Sequence, residues 1–298
     1  MNLSANCKIF NDAVHGFIYL SNEYCEKIID TPHFQRLKRL EQTNVRPLYP
    51  CAHHDRFVHS LGTYHLGSIV SEAVYENSHK HFPDLDWTIC RRSFEIACLL
   101  HDIGHAPFSH TFEMYYEEGD NLNKLLTDGS FINSPGHNPE RNEFFSDYNN
   151  TTPNQKQHEK VSAILVLTTY YPILTDLSAD PFLVARMILG LCYIDYKRNN
   201  HKKLYNCFIG LLNGKTIDVD KLDYIARDQW ATGHILKSIS IERLLSSVYI
   251  KKINDNYVSC FHKRAVNEIF TLIEARKSMD VRFYGHLISK SSQDKVSI

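Results

Sequence analysis

The residues best suited to chemistry are concentrated in Leu100-His101-Asp102-Ile103-Gly104-His105. They close an apolar run, Phe94-Glu95-Ile96-Ala97-Cys98-Leu99-Leu100, that reads as the end of a buried helix. A histidine beside an aspartate is costly to bury there without a partner. A divalent metal satisfies both, because imidazole nitrogen and carboxylate oxygen are its usual ligands. His105 follows His101 by one helical turn, so the two rings share a face if the helix continues that far. The plainer reading of the dipeptide alone is a chance pair in which His101 caps carbonyls. Residues 213–228 carry four aspartates, Asp218, Asp220, Asp223 and Asp228, more than helix capping needs. Asp220, Asp223 or Tyr224, and Arg227 recur at one-turn spacing there, with Leu222, Ile225 and Ala226 on the side suited to a core. His59, between Val58 and Leu61, reads by itself as a hydrogen-bonded core histidine. His158-Glu159 reads by itself as a surface pair at a helix start.

The elements that must position these groups are mostly helical. Residues 8–20 suggest a small β element, with Asn11-Asp12 and Gly16 as turn signals. Ser21 is placed to cap a helix that buries Tyr24, Ile28 and Ile29, and Pro32 to start another carrying Phe34, Leu37 and Leu40. Asp55 is the expected N-cap of a helix running to about Lys80, which places His59 early in it. Residues 117–157 are polar and rich in glycine and proline, and read as a long loop or insertion rather than core. Helical patterning resumes at Gln157, another helix covers 181–191, and 195–203 is a polar connector. Residues 247–261 read as a β-hairpin about Asn254-Asp255-Asn256. A helix follows from about Arg264 to Ile288, and 289–298 is a frayed tail.

Composition bounds the rest. The 298 residues are 43% hydrophobic and 22% charged, which suits a globular protein with a sizeable core. Lys+Arg number 33 and Asp+Glu 34, so the chain has no global basic footprint for nucleic acid. Arg36, Lys38, Arg39 and Arg46 make one region locally basic, which as a charge run reads as a solvated face. None of the eight cysteines forms a C-x-x-C pair, and no signal peptide or membrane-spanning run is evident. A reducing cytoplasm is the expectation.

Taken together, the motifs resemble the HD-domain deoxynucleoside triphosphate triphosphohydrolases, in the branch containing the SAM-domain viral restriction factor. The pieces are Asn11-Asp12-Ala13-Val14-His15-Gly16, Ile29-Asp30-Thr31-Pro32-His33-Phe34-Gln35-Arg36-Leu37, Arg56-Phe57-Val58-His59-Ser60-Leu61-Gly62, His101-Asp102-Ile103-Gly104-His105-Ala106-Pro107-Phe108-Ser109-His110, His158-Glu159, and Asp220-Lys221-Leu222-Asp223-Tyr224-Ile225-Ala226-Arg227-Asp228. They occur in the family's order across nearly the whole chain.

The resemblance implies a mainly α fold, a single HD-type helical bundle over 1–298 around one metal site, with small β elements. It implies His59, His101, Asp102 and Asp220 as ligands of one divalent transition metal. Two imidazoles and two carboxylates suit iron, manganese, zinc or nickel alike, and magnesium would accompany the triphosphate. His105, His158 and Glu159 match the catalytic group, the carboxylate fixing a histidine's tautomer. Arg56, Lys221, Arg276 and Arg282 match triphosphate-holding positions. Gln42, Tyr224, Asp228 and Tyr284 match positions around the sugar, and His110 is carried as a further substrate contact. Lys8, Asn11, Asp30, Gln35 and Lys38 fall on positions that hold an activating nucleotide between subunits, which implies a homo-oligomer.

The implied reaction is attack of a metal-activated water on the α-phosphorus of a dNTP, releasing deoxynucleoside and tripolyphosphate. Control of nucleotide pools or defence against phage would be its role. The rival expectations are another HD phosphohydrolase, either nucleotidase or nuclease, and a nucleotide sensor or assembly module without turnover. Three features depart from the family pattern. The stretch between His110 and His158 is longer, Gly285 and Leu287 stand at substrate-contacting positions, and the chain stops soon after Tyr284.

Overall fold

The computed structural model describes residues 6–43, 46, 48–106, 121–129, 139–151, 155–215, 217–233 and 240–284. Helices dominate, and the described strands form two separate two-stranded antiparallel sheets. Strands β1 (Cys7–Asp12) and β2 (Gly16–Ser21) pair from Cys7↔Ser21 to Asp12↔Gly16. Alternation puts Ile18 and Leu20 into the core and leaves Ile9, Phe17 and Tyr19 outside. Ser21 caps the next helical turn by accepting from the Tyr24 amide. The expected second helix is shorter than its apolar spacing suggests. Pro32–Gln35 is one turn, capped by Thr31, and tightens into a 3₁₀ turn, Arg36–Arg39, before Leu40 extends.

Helix α1 (Arg56–Ser78) starts at Asp55, whose carboxylate accepts from the Val58 amide at 3.0 Å. Helix α2 (Trp87–Leu100), capped by Asp86, buries Cys90, Phe94 and every residue from Ile96 to Leu100. Helix α2 stops at Leu100, contrary to the possibility of a continuous helix through His105. Residues 101–104 form turns in which Ile103 N–H donates to Leu100 O and His105 N–H to Asp102 O. His101 and His105 therefore do not share a helical face.

The polar reading of 117–157 is corrected for its described part. Helices α3 (Asn121–Asp128) and α4 (Pro139–Asn150) lie there. They deliver Leu126, Phe144, Phe145 and Tyr148 to the main core. Sparse apolar residues hid this, because four buried rings and chains suffice when the opposite faces are polar. Asp147 Oδ2 meets Arg186 Nη2 at 2.8 Å, with both side chains buried. Phe144→Ala should cost about 3–5 kcal/mol of unfolding free energy, as removal of a fully buried ring does. Urea denaturation checks this, and a loss under ~1 kcal/mol would return the segment to the periphery.

Helix α5 (Gln157–Leu167) packs on α6 (Pro181–Leu189), which is buried on every side and forms the centre of the bundle. The expected connector ends early, because Asn199 caps α7 (Asn200–Leu212). Helix α8 (Val219–Thr232) is capped by Asp218 and crosses α1. Strands β3 (Val248–Ile253) and β4 (Asn256–Phe261) form the expected hairpin, with Asn254 and Asp255 at positive φ. Helix α9 (Val266–Met279) ends in a wider turn, Asp280–Tyr284. One apolar core cluster runs from Ile18 to Ala275. Among the described residues no helix is long and apolar enough to cross a membrane.

Candidate metal centre

Three elements converge where α1, the turn after α2 and the first turn of α8 meet. His59 Nε2 lies 3.2 Å from His101 Nε2 and 3.1 Å from Asp220 Oδ1. His101 Nε2 is 3.7 Å from Asp220 Oδ1. Asp102 closes the group, with Oδ2 at 3.6 Å from His59 Nε2 and Oδ1 at 3.5 Å from His101 Nε2. The two histidines are buried and Asp220 is partly open. Both rings are oriented from behind. His59 Nδ1 faces Asp223 Oδ2 at 2.7 Å, and His101 Nδ1 faces the Cys98 carbonyl at 2.9 Å. Protons on those Nδ1 atoms leave both Nε2 lone pairs aimed at the same point.

This arrangement fits a transition-metal ion. Bonds of about 2.0–2.2 Å place neighbouring ligand atoms about 3 Å apart at right angles and about 3.4 Å apart at tetrahedral angles. The separations above begin in that range, at 3.1 and 3.2 Å, and reach a few tenths of an ångström beyond it, at 3.5–3.7 Å. Two lone pairs facing at 3.2 Å repel unless a cation or proton lies between them. His59, His101, Asp220 and Asp102 are thus the residues that would hold the ion. Burial raises the Asp220 carboxyl's pKa, but hydrogen bonding to His59 and the nearby His101 outweigh it and hold the group below its usual range. An ionised carboxylate is the form a metal needs.

Beside this cluster the rings of His105 and His158 stack, centroids 3.7 Å apart and 19° from parallel. Both are buried, and His105 Nε2 is 3.3 Å from Asp102 Oδ1. Burial and the adjacent Arg56 guanidinium lower the His105 pKa well below its usual value, which keeps the ring neutral. Asp102, His105 and His158 offer ligand atoms within 4.8 Å of one another.

Two glycines permit the close approach. A Cβ on Gly62 would fall 1.9 Å from Asp223 Oδ1, and one on Gly104 would fall 2.4 Å from both His158 O and Ser162 N. Ser162 locks the same seam: its hydroxyl donates to His101 O at 2.7 Å and accepts from Gly104 N–H at 2.9 Å.

Several expected site residues have other partners here. The Glu159 carboxylate does not turn to a histidine. It accepts from Lys156 N–H at 2.9 Å, capping its own helix, and from Asn213 Nδ2 at 3.4 Å. Burial raises its pKa to about 7. Lys221 Nζ contacts Asp218 and donates to Gly214 O. Arg56 is buried against Asp102. Tyr224 lies one turn along α8 from Asp220, near enough to Arg276 to feel its charge; burial raises its hydroxyl's pKa.

Asp228 Oδ1 lies 3.1 Å from His54 Nε2, and Gln42 N–H donates to His54 O. Gln42 Oε1 is buried with no hydrogen-bond partner among the described residues. Arg282 is exposed; His110 and the Tyr284 side chain lie outside the described residues, as do Gly285 and Leu287. The nucleotide-activator positions collect on the surface. Lys8 Nζ pairs with Asp30 at 3.3 Å, Lys38 Nζ donates to Gln35 Oε1 at 2.8 Å, and Asn11 is exposed on β1.

Asp223 is the site residue that spacing alone left undistinguished. It is fully buried and faces His59 Nδ1, His15 Nε2 and both Nε and Nη2 of Arg227. Burial opposes its ionisation, but Arg227, with hydrogen bonding to His15 and His59, holds its pKa well below the usual carboxylate range. The available sequence signal was a carboxylate three residues after Asp220, on the adjacent helical row.

Residues 56–173 match the family described as HD domain. The chain is 27% identical to "Deoxynucleoside triphosphate triphosphohydrolase SAMHD1 homolog" of Dictyostelium discoideum, over 95% of this chain and 47% of that protein. It is 29% identical to "Deoxynucleoside triphosphate triphosphohydrolase SAMHD1" of Gallus gallus, over 94% of this chain and 43% of that one. "Uncharacterized protein MG461" of Mycoplasma genitalium is 25% identical, over 92% of this chain and 55% of that one. The chain spans about half the length of the curated relatives it matches.

Proposed function

We propose that this chain, which carries an HD domain, is a metal-dependent phosphohydrolase acting on deoxynucleoside triphosphates and releasing deoxynucleoside and tripolyphosphate. The observation that carries the reading is the convergence of the His59 and His101 Nε2 atoms with Asp220 beside them. The stacked His105–His158 pair lies against Asp102 at its edge. The names of the relatives supply the substrate class. A divalent metal held by these ligands would polarise a phosphoryl oxygen and lower the pKa of a water. Arg56 fixes the orientation of Asp102. His105 is neutral in the free protein, and an arriving polyanion raises its basicity. In the complex it is then set to carry a proton towards the leaving sugar oxygen, with the His158 ring behind it. Lys221, Arg276 and Arg282 would meet the triphosphate; Lys221 must then share or leave Asp218. Gln42 Oε1, a buried acceptor with no donor among the described residues, suits a sugar hydroxyl, and Gln42 and Asp228 both lie beside His54. Glu159 acts through its helix cap rather than by touching the histidines.

The test is incubation of the purified protein with each dNTP and rNTP and several divalent metals, with products separated by ion-pair chromatography. Deoxynucleoside plus tripolyphosphate is expected. Nucleoside monophosphate, or hydrolysis of monophosphates or oligonucleotides, would instead indicate another HD phosphohydrolase; binding without turnover would indicate a sensor. Tyr224→Ala should narrow the dATP-over-ATP preference by about tenfold or more, the steric selectivity of a filled pocket. Equal hydrolysis of both nucleotides by the unmodified protein would remove the sugar-gate role. An activating purine nucleotide at Lys8, Asn11, Asp30, Gln35 and Lys38 would raise turnover and drive self-association. Asp30→Ala should abolish both while leaving metal bound, as mixed-nucleotide assays and light scattering would show.

A further inference from the structure

We infer that His15, at the tip of the N-terminal hairpin, is a positioning residue for the metal ligand His59, so that the hairpin is a working part of the metal centre. This rests on the metal-centre reading above and adds a residue 44 positions upstream of that ligand. His15 Nε2 meets Asp223 Oδ1 at 2.6 Å, and Asp223 Oδ2 meets His59 Nδ1 at 2.7 Å. The His15 and Asp223 side chains are 6% and 0% exposed. Water therefore cannot readily stand in for either partner.

The contact is one side of a closed ring. Arg227 donates to both Asp223 oxygens and, through Nη1 at 2.9 Å, to Asp12 Oδ2. Asp12 Oδ1 in turn accepts from the backbone amides of Val14 and His15, at 2.9 Å each. Asp12 thus shapes the tip that presents His15, and Arg227 ties that tip to α8. Each Asp223 oxygen faces two of these nitrogens, so the carboxylate's rotation is set jointly by the hairpin, α8 and His59. Removal of the His15 ring takes away one of the four nitrogens facing Asp223, which loosens the carboxylate on its Arg227 fork and weakens the bond that aims the His59 lone pair.

Metal affinity of the full chain, measured by zinc competition with a chromophoric chelator, tests the inference. His15→Ala should bind zinc 10–100-fold more weakly, the size of an outer-shell loss. His15→Gln, whose Nε2 amide can reach Asp223, should recover affinity to within about threefold. Tyr19→Ala, on the exposed face of the same hairpin, should bind as the unmodified protein does, which separates positioning from general loosening. In the cobalt-substituted protein the visible ligand-field bands should shift in His15→Ala and return in His15→Gln. If His15→Ala does not fold, as judged by circular dichroism, His15→Asn, too short to reach Asp223, replaces it. Unchanged affinity and bands in His15→Ala, or equal losses in the alanine and glutamine variants, overturn the inference. His101→Ala runs alongside: if it loses metal, the metal-centre reading survives failure at His15, and if it keeps metal, both readings fall.

Discussion

Alanine at His101 or at Asp220 will leave the purified protein without tightly bound metal and without triphosphate hydrolysis, while its helical circular dichroism persists. Each change removes a proposed ligand, so the loss should exceed the roughly 10–100-fold that outer-shell changes cost. The fold should tolerate both. Helix α8 is capped by Asp218, through the Lys221 amide, and not by Asp220. Asp220 is also partly exposed, so alanine there opens no sealed cavity. His101 follows the last residue of α2, and its turn is held by Ser162 and backbone bonds that alanine keeps. Elemental analysis after purification in metal-supplemented medium is the check. Stoichiometric metal in the double variant would remove these two residues from the ligand set.

The second large effect is expected at Asp223. Asp223→Ala leaves His59, His15 and two Arg227 nitrogens facing a gap, and Arg227 stays buried with Asp12 as its carboxylate partner. Breaking a buried pair from one side costs about 3–5 kcal/mol, which chemical denaturation would read directly. Asp223→Asn keeps the volume but has one acceptor oxygen where the carboxylate has two. It should fold and bind metal about 10–100-fold more weakly. The pH dependence has a definite sign. Asp223 has its pKa depressed in the folded state, so its stabilisation is complete above the unfolded carboxylate pKa of about 3.9. It is lost as pH falls through the lower folded value. The acid limb of the stability curve should therefore flatten in Asp223→Ala. An unchanged acid limb together with a loss below ~1 kcal/mol would mean that Asp223 anchors nothing.

Local rules carried far in this chain. Ser21 and Asp55 cap where short polar side chains precede apolar spacing, and the 254–256 turn forms a hairpin because Asn and Asp tolerate positive φ. The apolar run to Leu100 delivers a buried helix that ends on His101-Asp102. These features depend on neighbours within a few residues, so they are legible without a fold. What the tertiary structure decided involves partners far apart in the chain. The turn that separates His101 from His105 packs against α5, some 55–60 residues on, through Gly104 and Ser162. Glu159 is drawn to its helix start and to Asn213, and Lys221 to Asp218, because those groups offer bonds that spacing cannot reveal. Phe144 and Tyr148 enter the core from a segment of polar composition, since a few large side chains on one face are enough when that face meets α6. Asp223 joins His59, His15 and Arg227 across as many as 208 residues. Its neighbours in sequence show a helix with a spare carboxylate; only the fold brings it donors, and burial then makes their loss costly.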